Sequence, residues 1–364
     1  METPRKAECT GNREPGRALS APWWHPERLA ARRARLDARG RVLAAVREFF
    51  VASNYVEVAT PALQTSPGLE PHLKAFATVL HDPRDGVAKR RYLHTSPEFA
   101  MKKLVAGGMQ RIWQLAPVYR DGEQSATHHP EFAMLEWYCA GASYRDLMVE
   151  CEALLHRVQQ AVGAAAYRWH GRTADARRAW QRLTVADAFA RYAGIDLLAT
   201  TPDPAVPDFA ALAAAAARIG IAPHPGDDWE TLFFRVFLDR IEPRLGLDAP
   251  TILYDYPIAM AALARPKPED PRLAERFEMY VCGLELANAF GELTDAAEQR
   301  RRFATDQAKK QALYGETYPI DEDFLAALEF GMPDCAGIAL GFDRLVMLAT
   351  GADAIEEVLW APVC

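Results

Sequence analysis

Two arginines mark the positions where chemistry on phosphate is expected. Arg344 lies in the first turn of a predicted helix, directly after a strand that ends in Gly341. A cation there opposes the helix dipole, unless the arginine and the helix N-terminus share an anion such as a phosphate. The alternative for Arg344 is a surface ion pair. Arg120 lies at the mouth of a polar loop, where a guanidinium can bridge a carboxylate and an α-phosphate in a forked geometry.

Glu136 and Tyr138 alternate with the apolar residues Leu135 and Trp137. This alternation predicts a strand in which the two polar side chains share one face. A glutamate at such a position more often faces solvent, because burying an unpaired carboxylate is costly. The adjacent histidines at 128–129 are a weak signal for a metal, since no further spaced ligands accompany them.

A third cluster is acidic. Glu278 and Glu285 flank Cys282-Gly283, where a turn or bulge is predicted. The next polar and aromatic side chains alternate along one predicted strand and share a face: Asn288, Phe290 and Glu292. Grouped carboxylates need a compensating cation, which here is Mg²⁺ or a substrate ammonium group. A solvated acidic face is the alternative, but the stretch is largely apolar.

The elements that position these residues are of mixed type. Leucines and a phenylalanine recur every seven residues at 29, 36, 43 and 50, which predicts an amphipathic helix over 25–53. Further strands are predicted at 55–58, 91–94, 112–118, 132–137, 251–256, 276–280, 283–290 and 337–341, and further helices at 98–105, 144–162, 296–313 and 343–349. Strands and helices do not alternate regularly, so we expect an α+β fold around a mainly antiparallel sheet flanked by helices.

Two segments differ from this pattern. Residues 1–24 are rich in Gly, Pro and charge and are predicted to be disordered, which leaves 25–364 as the catalytic domain. The stretch 184–245 contains three helical patterns, at 185–192, 209–219 and 229–245, and no strand signal. We therefore expect a helical insertion there.

Composition limits the class of protein. The chain has 364 residues, 50% of them apolar and 25% charged, which is typical of a soluble globular protein. No apolar run reaches the roughly 18 residues that a membrane span needs, and the N-terminus does not resemble a signal peptide. The 6 cysteines are widely separated, which favours free thiols in a reducing cytoplasm. The net charge of −7 weakly disfavours binding to tRNA.

Together, the three clusters resemble the signature motifs of class II aminoacyl-tRNA synthetases, in the right order and over roughly residues 25–360. The first motif corresponds to the helix before Glu57–Pro61, the second to Tyr119–Tyr138 and the third to Gly337–Arg344. Within that class the chain is similar to the lysine branch, through residues 128–138 and 284–292. The resemblance implies a class II catalytic core that uses ATP and Mg²⁺ to activate a lysine-like amino acid.

The resemblance also implies residue roles. Arg120 and Arg344 would be catalytic, acting on the ATP phosphates, and Glu278 and Glu285 would bind Mg²⁺. The implied ATP contacts are Arg120, Asp121, Glu123, His128, His129, Glu285, Leu286, Gly341 and Arg344. The implied amino-acid contacts are Ser96, Glu98, Glu136, Tyr138, Asn288, Phe290, Glu292 and Ala339. Because Glu123 lies one place later than in the family's Arg-x-Glu pattern, the adenine contact stays open.

The chain departs from lysyl-tRNA synthetases in two respects. Those enzymes carry an N-terminal domain that reads the anticodon, whereas only about 25 residues precede the core here. Ser96 and Ala339 stand where alanine and glycine are typical. The chain is thus more similar to truncated paralogues that load (R)-β-lysine onto a lysine side chain of translation elongation factor P. This implies a cytoplasmic enzyme and a two-fold homodimer formed through residues 25–53 and the strand ending at Pro61.

Two alternatives stay open at this point. One is a truncated lysyl-tRNA synthetase-like enzyme that acts on tRNA. The other is a catalytically silent regulatory paralogue, which would be expected to lack Arg120, Arg344 or the carboxylates, and all of these are present. The preference for β- or α-lysine also stays open, and no residue stands out as the base for the acceptor amine.

Overall fold

The computed structural model describes residues 22–84, 86–204 and 206–363, so the predicted disordered extension lies outside the described residues except for 22–24. The helices are α1 (Pro26–Ala52), α2 (Glu98–Ala106), α3 (Tyr144–Val162), α4 (Val185–Ala193), α5 (Phe209–Arg218), α6 (Trp229–Val236), α7 (Ala296–Tyr314), α8 (Glu322–Gly331) and α9 (Phe342–Thr350). The strands are β1 (Val56–Glu57), β2 (Leu63–Gln64), β3 (Ala77–His81), β4 (Ala88–Leu93), β5 (Arg111–Tyr119), β6 (Glu131–Ala140), β7 (Tyr167–Trp169), β8 (Arg172–Ala174), β9 (Gln181–Thr184), β10 (Thr251–Pro257), β11 (Pro266–Lys267), β12 (Asp270–Val281), β13 (Leu284–Gly291) and β14 (Cys335–Gly341).

The central sheet has the strand order β1-β5-β6-β14-β13-β12-β10-β9, with β11 paired to β12. Its pairs are antiparallel apart from β1–β5 and β9–β10. The predicted α+β fold with a mainly antiparallel sheet is therefore confirmed. Strands that are distant in sequence, such as β6 and β14, become neighbours at the centre of this sheet.

One row of side chains crosses the five middle strands. Gln114 lies opposite Glu136, Glu136 opposite Ala339, Ala339 opposite Asn288, and Asn288 opposite Glu278. Directly opposite residues in a sheet point to the same face. The register thus collects residues of the second motif, the third motif and the acidic cluster on one side of the sheet.

The hairpin between β12 and β13 contains two irregularities. Cys282 and Gly283 both have positive φ, 57° and 77°, as a tight two-residue hairpin turn requires. Glu285 pairs with Tyr280 while Ala287 pairs with Met279, so Leu286 is an extra residue in β13. Such a bulge shifts the alternation of faces by one residue.

The opposite face of the sheet is covered by α1, α3 and α9. Phe50 of α1 stacks on Trp113 of β5 with ring centroids 4.7 Å apart. The prediction of helix α1 is correct, but Leu29 is 38% exposed and does not belong to its buried face. No helix in the described ranges has the length and apolar character needed to cross a membrane.

The segment from α4 to α6 forms a core of its own with β10, around Phe189, Leu212 and Phe233. The single helix predicted over 229–245 is wrong in its second half. Helix α6 ends at Val236, and the chain continues as a π-helical turn and then as a 3-10 turn at Glu242–Arg244. Pro243 in that turn has no N–H to donate to the α-helical hydrogen-bond pattern.

Candidate active site

A cavity of about 930 Å³ lies over the face of the sheet that carries the polar row. Its wall includes most of the residues that the sequence motifs indicated: Ser96, Glu98, Arg120, Glu123, His128, His129, Glu285, Leu286, Asn288, Phe290, Ala339, Gly341 and Arg344. Five indicated residues do not line it: Asp121, Glu136, Tyr138, Glu278 and Glu292. The last four are buried.

Arg344 is held at the N-terminal end of α9. Its guanidinium donates to the carbonyls of Glu285 at 2.9 Å and Thr127 at 3.2 Å, and Nη2 lies 2.7 Å from Nε2 of His128. Burial, and then the charge of Arg344, lower the pKa of His128, so this imidazole stays neutral and accepts the hydrogen bond. The contacts of Arg344 are thus neutral groups rather than the carboxylate of a surface ion pair. A bound anion would supply its missing counter-charge.

Arg120 makes weaker contacts than Arg344, so more of its N–H groups can donate hydrogen bonds to a ligand. Its Nε lies 3.4 Å from the carbonyl of Thr95, and its Nη1 lies 3.8 Å from a carboxylate oxygen of Glu123. The guanidinium carbon lies 5.2 Å from the centre of the Phe132 ring, which also lines the cavity. Phe132 is a site residue that the sequence reasoning missed, although its place between the two motif histidines and Glu136 could have indicated it.

Two of the indicated ATP contacts have other partners. Asp121 points away from the cavity and pairs with Lys74 at 2.7 Å. His129 lines the cavity, but both of its ring nitrogens are occupied, by the carbonyl of Glu131 and by the N–H of Val363 at 3.0 Å. Its imidazole therefore fixes the C-terminal segment at Val363 against the loop between β5 and β6.

Glu136 is a buried carboxylate without a cationic hydrogen-bond partner. It accepts hydrogen bonds from the hydroxyls of Ser96 at 2.5 Å and Tyr138 at 3.0 Å. Burial, and then the charge of Glu98, raise the pKa of Glu136 to about 8. A bound ammonium group would stabilise the charged form of this carboxylate. Ala339 lies directly opposite Glu136 in the sheet, so its methyl group borders the same space.

Asn288 contributes a polar atom that has no partner. Its Oδ1 is buried and forms no hydrogen bond in the part of the chain that the structure describes, although the residue lines the cavity. A buried carbonyl oxygen without a partner is costly, and a ligand that donates a hydrogen bond would satisfy it.

Lys102 is a second residue that sequence reasoning missed. Its side chain is fully buried, and its Nζ lies 2.5 Å from carboxylate oxygens of both Glu98 and Glu292. Burial alone would lower the pKa of Lys102, but the charges of Glu292 and Glu98 raise it. The spacing of four residues between Glu98 and Lys102 on a predicted helix was the available signal. Lys102 thus neutralises part of the negative charge of Glu98 and Glu292.

Glu278 and Glu285, the two residues indicated for Mg²⁺, differ in how many hydrogen bonds they already accept. Glu278 already accepts hydrogen bonds from Arg276 and Tyr256, each at 2.6 Å, and from Tyr280. Burial, and then the charge of Glu278, raise the pKa of Glu285 to about 7. Among the described residues no group of three or more His, Cys, Asp or Glu side chains is arranged to hold a metal. One or two carboxylates completed by phosphate oxygens are a usual arrangement for Mg²⁺, so the site fits that ion only when ATP is present.

We predict that the free protein becomes less stable as pH rises from about 4.5 to about 8. The pKa of Glu136 in the fold is about 8, above its ordinary value, because of burial and the charge of Glu98. Between these two values the unfolded chain releases the proton while the fold retains it, so stability is lost as pH rises and the loss is complete once the folded carboxylate ionises. Urea unfolding of the wild type and of Glu136→Gln tests this, and a variant with the same slope as the wild type would contradict it.

Comparisons with known proteins agree with this geometry. Residues 21–363 match the family of tRNA synthetases class II (D, K and N). The chain is 40% identical over 331 residues to the elongation factor P--(R)-beta-lysine ligase of Vibrio cholerae, covering 90% of this chain and 94% of that protein. It is 40% identical to the ligase of the same name from Klebsiella pneumoniae, covering 88% and 92%, and 37% identical to that of Proteus mirabilis, covering 93% and 97%.

Proposed function

Because the chain belongs to the family of class II tRNA synthetases (D, K and N), we propose that it activates (R)-β-lysine with ATP and transfers it to a lysine side chain of elongation factor P. The chain is an ATP-dependent ligase of the synthetase type. The observation that carries the proposal is the row Glu136–Ala339–Asn288. Glu136 has no cationic hydrogen-bond partner, Oδ1 of Asn288 has no hydrogen-bond partner among the described residues, and the methyl group of Ala339 lies between them.

In the first step the substrate carboxylate attacks the α-phosphorus of ATP, and pyrophosphate leaves. Arg120 and Arg344 hold the phosphates and stabilise the charge that develops on them, which is where most of the rate enhancement is expected. The pocket at Glu98, Glu136 and Asn288 orients the substrate through its amino groups, so that its carboxylate is held in position for attack. Phe132 offers a ring face against which the adenine can pack.

Mg²⁺ would be held by Glu285, with Glu278 beside it, and would neutralise charge on the phosphates. Arg276 limits the part that Glu278 plays, because it already holds one oxygen of that carboxylate at 2.6 Å. In the second step an acceptor amine displaces AMP.

The cysteines favour a reducing compartment such as the cytoplasm, because the described part of the chain contains four buried free thiols: Cys139, Cys151, Cys282 and Cys335.

The test of this function is a side-by-side measurement of ATP–pyrophosphate exchange with (R)-β-lysine and α-lysine, followed by transfer to purified elongation factor P. We expect exchange with (R)-β-lysine to exceed exchange with α-lysine, and a mass increase on the acceptor protein. Charging of tRNA with no modification of elongation factor P would overturn the proposal.

Ala339→Gly is expected to raise kcat/KM for α-lysine relative to (R)-β-lysine by about tenfold or more. The two substrates have nearly equal volume, so the pocket separates them by shape and by the pairing of their ammonium groups with Glu98 and Glu136. Removing the methyl opposite Glu136 opens room near the α-carbon. If the methyl only packs the core, the glycine costs about 1 kcal/mol of stability and the ratio of the two kcat/KM values does not change.

We also propose a two-fold homodimer formed through α1 and the strand ending at Pro61. Three apolar side chains of this region are exposed: Leu29 by 38%, Val51 by 70% and Val56 by 52%. Two-fold dimers are the commonest oligomers of soluble proteins. Sedimentation at micromolar concentration should give twice the mass of the 40.5 kDa chain, and a monomeric mass would contradict the proposal.

A further inference from the structure

Glu70 and Asp306 are two acidic residues of the cavity wall that activation of the amino acid leaves unused. Glu70 lies in the loop between β2 and β3, Asp306 lies on α7, and both line the cavity that Ser96 and Glu98 also line. Neither carboxylate forms an ion pair with Lys or Arg in the part of the chain that the structure describes. Glu230, which also lines the cavity, differs from them because it pairs with Lys309.

A second, smaller cavity lies behind Glu70. It has a volume of about 10 Å³, close to that of one water, and Glu70 and Glu98 are part of its wall. Ser66 and His94 also line it and are only 2% and 1% exposed. Oγ of Ser66 and Nδ1 of His94 are buried without a hydrogen-bond partner in the described structure. These two polar atoms point to a small polar ligand such as water next to Glu70.

The loop that carries Glu70 is fixed against α7. Lys310 is 2% exposed, and its Nζ donates to the carbonyls of Pro71 at 3.0 Å and Leu73 at 2.7 Å. The hydroxyl of Tyr314 lies 2.8 Å from Nδ1 of His72 in the same loop. These contacts hold the loop of Glu70 against the helix of Asp306, so both carboxylates are carried by one packed unit of the cavity wall.

We propose that Glu70 and Asp306 receive the ammonium group of the acceptor lysine and that Glu70 takes its proton before the acyl transfer. This inference rests on the proposed function and identifies the base that the second step needs. An incoming lysine is protonated near neutral pH and has no lone pair for attack, so the enzyme gains by removing a proton in the cavity.

The step balances as follows. The acceptor ammonium gives one proton to the carboxylate of Glu70 and becomes a neutral amine. Its nitrogen forms a bond to the acyl carbon of the adenylate, and the bond from that carbon to the phosphate oxygen breaks. AMP leaves with the electron pair of that bond, and the new amide nitrogen loses its second proton to solvent.

Several charged groups act on this pair. Around Glu70 these are Glu98, Arg120, Lys102 and Lys310, and burial, then the charge of Glu98, raise the pKa of the Glu70 carboxyl. Around Asp306 they are Glu70, Glu230, Lys309 and Arg302, and burial, then the charge of Glu70, raise its pKa to about 7. Raised values of this kind bring a carboxylate closer to the working range of a general base.

The test separates the two half-reactions in the full-length enzyme. Glu70→Gln and Asp306→Asn are compared with the wild type in ATP–pyrophosphate exchange and in single-turnover transfer to elongation factor P across pH. A third assay replaces the protein acceptor by hydroxylamine, a small amine that is already unprotonated near neutral pH. Glu329→Gln, which removes an exposed carboxylate from α8, is the matched control.

We expect Glu70→Gln to keep pyrophosphate exchange and the reaction with hydroxylamine, and to slow transfer to the protein by about 10²-fold or more. Asp306→Asn should mainly raise the KM for the protein acceptor. Unchanged transfer in Glu70→Gln would overturn the inference. An equal loss of exchange and transfer would also overturn it, and would assign Glu70 to the amino-acid pocket. Failure of wild-type exchange with (R)-β-lysine would instead contradict the proposed function.

Discussion

Arg344→Ala is expected to lower ATP–pyrophosphate exchange by at least about 10³-fold while the protein stays folded. The wild-type guanidinium is fixed by two backbone carbonyls and by His128, and its charge has no carboxylate partner among its described hydrogen bonds. Its counter-charge is therefore expected to come from the phosphates of the substrate, and alanine removes that interaction in the transition state.

The control for this variant is Arg218→Ala, which removes an exposed arginine from α5 and should leave exchange unchanged. Circular dichroism and thermal unfolding show whether the variants are folded. Arg344→Lys keeps the charge but not the forked geometry, so it should recover only part of the activity. Wild-type exchange in a folded Arg344→Ala would remove this arginine from the site.

Lys102→Met is expected to destabilise the protein by about 3–5 kcal/mol near pH 8. The wild-type ammonium lies between Glu98 and Glu292, and methionine would leave these two buried carboxylates without their cation. Burial, offset in part by Lys102, raises the pKa of Glu292 to about 7. Because this folded pKa is above the unfolded one, the carboxylate becomes less costly as it protonates, so the deficit should shrink as pH falls from about 8 to about 6.

Urea unfolding at both pH values measures this effect. Lys74→Met is the matched control, since Lys74 is 57% exposed and pairs with Asp121 at the surface, where an ion pair contributes at most about 1 kcal/mol. A deficit in Lys102→Met no larger than in Lys74→Met would show that the buried triad is not a source of stability. A deficit that grows as pH falls would contradict the assigned charges.

Much of the fold could be predicted because its elements have strong local patterns. Helix α3 was predicted over the residues that form it, 144–162, and the structure shows why: Ser143 and Asp146 form a capping box at its start. Helix α8 was missed, and so were the short strands β2, β3, β7, β8, β9 and β11. Short strands leave few residues in which alternation can be seen, and β3 is exposed at every position, so it has no apolar face to detect.

The candidate site could be predicted in its residue types but not in its pairings. The motifs indicated that Glu98 and Glu292 are polar groups of one pocket, but the lysine between them comes from α2 and meets Glu292 only through the tertiary fold. The partner of His129 is the N–H of Val363, 234 residues further along the chain, and local patterns carry no information on such contacts. The same limit applies to Glu70 and Asp306, which line one cavity only because a loop packs against α7.

The extra residue at Leu286 has a consequence for how this protein can change. It lets Glu285 and Asn288, which are an odd number of positions apart, project from the same side of β13. The residue proposed to hold Mg²⁺ and a residue proposed to contact the amino acid therefore lie on one strand. Substitutions in this strand alter one side chain each. Without the bulge, regular alternation over the present length would turn Glu285 towards the apolar core while Asn288 stayed in the cavity, whereas loss of the residue at 286 would keep both on one face. The combination of the bulge and the residue at 286, rather than either one alone, therefore keeps the two side chains on one face.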